Sequence, residues 1–205
     1  MGSIEFWYEF ASTYSYPAAM RVERLAETAG VAVAWRPFLL GPIFADQGWN
    51  DSPFNLYPAK GRYMWRDLER VCAKEQIALA LPPARFPQAG LKAARLALAG
   101  EAEGWTPEFS RAVYAANFAE RKDISDDATL AEILERLKID PARAFAAANT
   151  PENKERLKAR TEEARARGIF GAPSFIAGGE LFWGNDRLKD AIGHAALKAA
   201  PGDAR

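Results

Sequence analysis

The chain has 205 residues, 49% of them hydrophobic, enough to bury the core of one folded unit. Lys+Arg 27 against Asp+Glu 27 leave no net charge, so the basic excess of a nucleic-acid binder is missing. The single cysteine, Cys72, excludes an internal disulfide and a Cys-rich zinc site. The single histidine, His194, argues against a His-based metal cluster.

Ser3 to Tyr8 is apolar and aromatic and predicts a buried strand. Tyr14 to Ala29 predicts a helix, because Ala18, Ala19, Val22, Leu25 and Ala26 recur at helical spacing and Pro17 sits in the first turn. Gly30 ends it. Val31 to Phe38 alternates and predicts a second strand, closing a βαβ unit. Leu39 to Pro58 interleaves Gly and Pro with Phe44, Trp49, Phe54 and Tyr57 and reads as a long aromatic loop. Helical patterns follow over 59–74, 89–100, 107–119, 126–137, 141–149 and 151–167. Their starts carry a capping residue or a first-turn proline at Thr106-Pro107, Ser125-Asp126, Asp140-Pro141 and Thr150-Pro151. Strand character returns at 173–177 and 180–183 across Gly178-Gly179, a hairpin signal, and Arg187 to Ala199 predicts a last helix.

Two stretches carry chemistry. The first is the turn between the first strand and its helix, Ala11-Ser-Thr13. Backbone N–H groups and the helix dipole converge on such a turn and favour negative charge. The side chain there is Ser12, with Ser15 three residues on. Thioredoxin-like proteins carry Cys-x-x-Cys at this place; here both thiols are absent, so dithiol chemistry is excluded and an external thiolate can be held. Serine is also a favoured plain helix cap. The second stretch is Gly168-Ile-Phe-Gly-Ala-Pro-Ser-Phe175, with a proline at a strand start. An X-Pro bond there is ordinarily trans; in the cis form the preceding backbone turns outward, toward an extended ligand.

The motifs Glu9-Phe-Ala-Ser-Thr-Tyr-Ser-Tyr16, Arg62-Tyr-Met-Trp-Arg-Asp-Leu-Glu-Arg70, Gly168–Phe175 and Phe182-Trp-Gly-Asn-Asp-Arg-Leu188 resemble the 2-hydroxychromene-2-carboxylate isomerase family, kin to kappa-class glutathione transferases. The resemblance covers nearly the whole chain. It implies an α/β thioredoxin-like fold with a large all-helical insertion, split as 1–40 plus 168–205 around 41–167. It implies a cis Ala172-Pro173 bond, glutathione as cofactor, a small aromatic substrate and a homodimer. It places Ser12 at the glutathione sulfur as the catalytic residue. It assigns Ala172, Pro173, Trp183, Gly184, Asn185 and Asp186 to glutathione and Asn55 to the substrate, with no metal.

Other readings stay open at this level. Asn185-Asp186 can cap the last helix, and the aromatic residues from Trp49 to Trp65 fit either core or an apolar pocket. Cys72 and His194 receive no role. No basic segment precedes an apolar run at the N-terminus, and no apolar run approaches the roughly 20 residues that span a bilayer. The expectation is therefore a cytoplasmic protein without nucleic-acid or membrane partners. The function expected is glutathione-dependent isomerisation. The alternatives are a kappa-type transferase and a non-catalytic glutathione binder.

Overall fold

The computed structural model describes residues 1–199. Strand β1 (Gly2–Tyr8) pairs in parallel with β2 (Val31–Pro37), and antiparallel with β3 (Ser174–Ala177), which pairs with β4 (Glu180–Trp183). The sheet order is β2-β1-β3-β4. Strands from both ends of the chain thus meet in one sheet: Phe6 lies opposite Trp35 on one side and Phe175 on the other.

Alternation along β1 sorts its side chains to two faces. Ile4, Phe6 and Tyr8 enter the main core, where Phe6 stacks on Phe175 at 5.4 Å between ring centroids. Trp7 goes to the opposite face and packs with Phe38, Ile43, Ile169 and Ile176. The helices between the strands bury Leu68, Leu96, Phe109, Tyr114 and Leu157 in the same core as the sheet. Tyr8 and Ser110 share a hydrogen bond of 2.7 Å inside it. Residues 200–205 of the segment 168–205 lie outside the described residues.

The helices are α1 (Ser15–Ala19), α2 (Val22–Thr28), α3 (Leu40–Asp46), α4 (Pro53–Leu56), α5 (Pro58–Glu75) and α6 (Leu91–Ala99). They continue as α7 (Thr106–Phe118), α8 (Asp127–Arg136), α9 (Pro141–Ala148), α10 (Pro151–Ala166) and α11 (Leu188–Ala199). Asp126, Asp140 and Thr150 cap α8, α9 and α10 through their side chains. Thr106 does not cap: it lies inside α7, and its hydroxyl donates to the Ala97 carbonyl at 2.7 Å.

The helix read over 14–29 is divided at Met20 and Arg21. The Arg21 Nε–H donates to the Pro17 carbonyl at 2.9 Å, the acceptor its own backbone N–H would use in a continuous α-helix. That N–H turns to Ala18 instead, at 3.1 Å. The aromatic loop read over 39–58 contains α3 and α4. Pro42 and Pro53, which help give the stretch its loop character in sequence, each lie in the first turn of a helix, where the missing N–H costs nothing. Ser52 caps α4, its hydroxyl accepting from the Phe54 N–H at 3.3 Å. No helix among the described residues is long and apolar enough to cross a membrane.

Candidate active site

A cavity of about 1190 Å³ opens between the β1–α1 turn, the β3–β4 end of the sheet, and the α3–α5 region. Ser12 stands on its wall. The Ser12 hydroxyl donates to the Ala172 carbonyl at 2.8 Å and accepts from the Ser15 N–H at 3.3 Å, so it tethers the turn to the segment before β3 and to the first residue of α1. The Ala172–Pro173 peptide is cis. Among the described residues the Ala172 N–H meets no protein acceptor, which leaves a backbone donor beside the cavity. The Pro173 carbonyl accepts from the Gly184 N–H at 2.9 Å and locks the segment after β4 against this strand start.

That segment brings Trp183, Gly184, Asn185 and Asp186 to the same cavity as Ser12, Ala172 and Pro173. Trp183 is 53% exposed, and its ring meets Phe170 at 4.8 Å between centroids. A Cβ at position 171 would collide with the Trp183 indole, so Gly171 lets the ring lie against the backbone beside Ala172. Asn185 to Arg187 forms a 3-10 turn ahead of α11, with Gly184 at the cap position (φ 109°) and no side-chain cap. Neither Asn185 nor Asp186 caps α11 in the manner open from sequence.

Asn55 is not among the residues that line the cavity. Its amide donates to the Asp51 carboxylate (3.1 and 3.2 Å) and to the Phe86 carbonyl (3.3 Å), while its neighbours Asp51, Ser52, Pro53 and Phe54 form the wall.

Sequence reasoning passed over four contributors. Arg21 is 6% exposed and ties three elements together: besides Pro17, its guanidinium meets Glu75 at 2.9 Å and donates to Asn185 Oδ1 at 2.5 Å. Because Oδ1 is taken, the Asn185 NH2 is the end left for a ligand. The signal was present as an arginine on the apolar face of a predicted helix, where a cation stays only when paired. Glu9 lines the cavity beside Ser12. Burial pushes its carboxyl up to about 7, opposed by the Ala11 N–H that donates to Oε2 at 2.9 Å. Lys60 lines the far wall and lies 5.4 Å over the Tyr57 ring. Tyr14 donates to Asp67 at 2.7 Å, and burial, reinforced by that carboxylate, drives its hydroxyl pKa up. Tyr14 is therefore a neutral donor at ordinary pH.

Residues 3–193 match the DsbA-like thioredoxin domain. The chain is 32% identical over 189 residues to 2-hydroxychromene-2-carboxylate isomerase of Sphingobium xenophagum, covering 91% of this chain and 94% of that one. This chain belongs to the 2-hydroxychromene-2-carboxylate isomerase family, within the DsbA-like thioredoxin proteins. A solved 2-hydroxychromene-2-carboxylate isomerase superposes with a TM-score of 0.84 at 25% identity, covering 97% of this chain and 98% of the other. Human glutathione S-transferase kappa 1 is 26% identical over 202 residues, 91% of this chain and 88% of the relative. The thioredoxin-like α/β fold with inserted helices is thus the fold of this family member. Its turn carries Ser12 and Ser15, and its one cysteine, Cys72, lies buried in α5 with its thiol pushed up to about 11 by that burial.

Proposed function

We propose that this protein is a glutathione-dependent isomerase of 2-hydroxychromene-2-carboxylate-type aromatic compounds, interconverting them with trans-o-hydroxybenzylidenepyruvate. The observation that carries the reading is the convergence of the Ser12 hydroxyl, the Ala172 backbone and residues 183–186 on one cavity whose opposite wall is aromatic. The donor set fits a short peptide thiol. The unpartnered Ala172 N–H suits the backbone of an extended peptide. The Asn185 amide and the Asp186 carboxylate offer a donor and an acceptor to amino-acid ends, and Trp183 offers a face to pack on. Glutathione is also the namesake cosubstrate of the kappa-class relative.

When bound, glutathione supplies a thiolate that adds to a conjugated double bond, frees it to rotate, and leaves again. An ordinary thiol of pKa about 8.5 is only about 3% ionised at pH 7, and lowering that value by two units takes roughly 2.7 kcal/mol. The turn provides help of that order. Ser12 can turn its hydroxyl from the Ala172 carbonyl to an anion as a charge-assisted donor, and the start of α1 adds favourable backbone dipoles. Ala172, Pro173 and Asn185 hold the peptide. Trp49, Phe54 and Phe86 exclude water from the aromatic side, and Lys60 offers an ammonium to the substrate carboxylate.

The test is isomerisation of 2-hydroxychromene-2-carboxylate at saturating glutathione, with glutathione assayed before and after. The expected result is turnover without consumption of glutathione, and a Ser12→Ala rate lower by about 10- to 150-fold, the equivalent of roughly 1.5–3 kcal/mol, with glutathione affinity kept. Full activity in Ser12→Ala would leave Ser12 a tether of the turn only. Consumption of one glutathione per product would replace this reading with the transferase chemistry that the kappa-class likeness favours.

A further inference from the structure

The cavity holds one carboxyl group for which the isomerase reading finds no use. Glu9 leaves the end of β1 and turns its side chain back along the β1–α1 turn, where Oε2 accepts from the Ala11 N–H at 2.9 Å. Its backbone carbonyl accepts from the Ser12 N–H at 3.0 Å and from the Tyr114 hydroxyl at 2.8 Å. The carboxyl group is thereby fixed to the turn that presents Ser12. Gly90 packs directly on the other oxygen: a Cβ there would come within 2.6 Å of Oε1. Oε1 has no protein donor among the described residues, and Glu9 lines the cavity. Behind it the wall is closed. Gln88 is bonded to Asn117 at 2.9 Å, to the Lys122 carbonyl at 3.0 Å and to the Ile124 N–H at 2.7 Å. Asn117 in turn donates to the Phe10 carbonyl at 3.3 Å.

We propose that Glu9 Oε1 is the proton acceptor for the glutathione thiol at this site, a role that rests on the glutathione reading above. As the S–H bond breaks, its proton passes to Oε1 and the electron pair stays on sulfur; when the thiol re-forms, Oε1 returns the proton. The other polar groups on the cavity wall are poorly suited. Ser12 already carries its proton and can only donate to a thiolate. Tyr14 donates to Asp67, so that carboxylate is occupied. Asp51 accepts from the Ser52 N–H at 2.6 Å and from Asn55. Asp186 lies 3.6 Å from the Arg187 guanidinium, and Lys60 is a cation.

The surroundings of Glu9 favour a proton rather than a charge. Tyr114 faces it from α7 with a neutral hydroxyl whose own pKa burial holds high. The segment before α6 offers the neutral Gln88 and the Gly90 backbone. Across the cavity stand Lys60, Tyr63 and Asp67 of α5, and no lysine, arginine or histidine among the described residues is paired with Glu9. Burial moves the carboxyl from its ordinary 4.5 to about 7, which suits a group that takes and returns a proton near neutrality. A carboxylate and a thiolate in one cavity repel each other, so on this proposal the two sites titrate as a coupled pair that shares a proton. The simpler role, in which Oε2 only braces the turn, is also served by glutamine.

The test compares the full-length wild type with Glu9→Gln. Reduced glutathione is titrated calorimetrically near neutral pH in buffers of different ionisation enthalpy, and thiolate formation is followed by ultraviolet absorbance. Near pH 7 the wild type should form thiolate while releasing only about half a proton to the buffer, because Glu9, about half ionised there, takes up the rest. Glu9→Gln should form it while releasing close to a full proton per glutathione. Its absorbance titration should also lose the inflection contributed by the carboxyl group. Equal proton release from two proteins that both form thiolate overturns the proposal while leaving the glutathione reading standing. No binding of glutathione to the wild type overturns both. Glu9→Gln should fold: a raised carboxyl pKa stabilises the fold below about 4.5 and loses that contribution as pH rises through about 7, and glutamine carries no such loss. An infrared difference spectrum of the wild type alone gives a second reading. Glutathione should replace a carboxylate band by a carboxylic-acid band, and an unchanged carboxylate region overturns the proposal without any variant.

Discussion

The cavity has two unlike walls. The wall at Ser12 is built from main chain: the β1–α1 turn, the start of β3 and the segment after β4 are tied by Ser12 to Ala172 at 2.8 Å and by Gly184 to Pro173 at 2.9 Å. The opposite wall is built from side chains on α3, α4, α5 and the proline-rich stretch before α6, where Trp65 meets Phe86 edge-on at 4.9 Å. Main-chain donors and acceptors are spaced by the sheet and offer one geometry, which suits a ligand that does not change. Side chains on short helices can be exchanged without disturbing the sheet, which suits a substrate that does. The contrast teaches where chemistry and selectivity would divide under the proposed function: the first wall is assigned to the thiol, the second to the aromatic compound.

Three substitutions break or sharpen that division. The largest effect is expected from Phe6→Ala, because Phe6 is fully buried between Trp35 and Phe175 and supports both walls through the sheet. It should lower stability by about 3–5 kcal/mol in chemical denaturation. A loss confined to one binding function, with stability unchanged, would mean that the walls do not share this foundation.

Arg21→Met acts on the main-chain wall alone. It releases Asn185 and leaves Glu75 without its cation. We expect a stability loss of about 1–3 kcal/mol and glutathione affinity weakened on the order of tenfold, with KM for the aromatic substrate little changed. Calorimetric glutathione binding checks the first half and steady-state kinetics the second. Equal loss of both affinities would erase the division.

Lys60→Gln is the smallest and probes the other wall. Lys60 is exposed, so a rise in KM for the substrate of roughly 2- to 5-fold is expected, with glutathione binding unchanged. If glutathione affinity falls instead, its carboxylates reach across the cavity and the ammonium belongs to the thiol side.

What the sequence determined by itself was local. The apolar run Ser3–Tyr8, the alternation in Val31–Phe38, the capping residues Asp126, Asp140 and Thr150, and the Gly178-Gly179 hairpin were all legible because each depends on backbone preferences within a few residues. The serine turn was legible for the same reason. Tertiary structure decided what depends on partners far along the chain. Arg21 breaks a helix that its periodicity would continue, because Glu75 and Asn185 make burying its charge favourable only at that bend. The Glu9 carboxyl pKa is raised to about 7 by burial, with Gly90 and Tyr114, distant in sequence, packed around it. Asn55 is a substrate residue by the family resemblance, yet its amide is engaged by Asp51 and Phe86. Burial and pairing are properties of the assembled fold, and they set the charge state and direction of a side chain that the sequence only names.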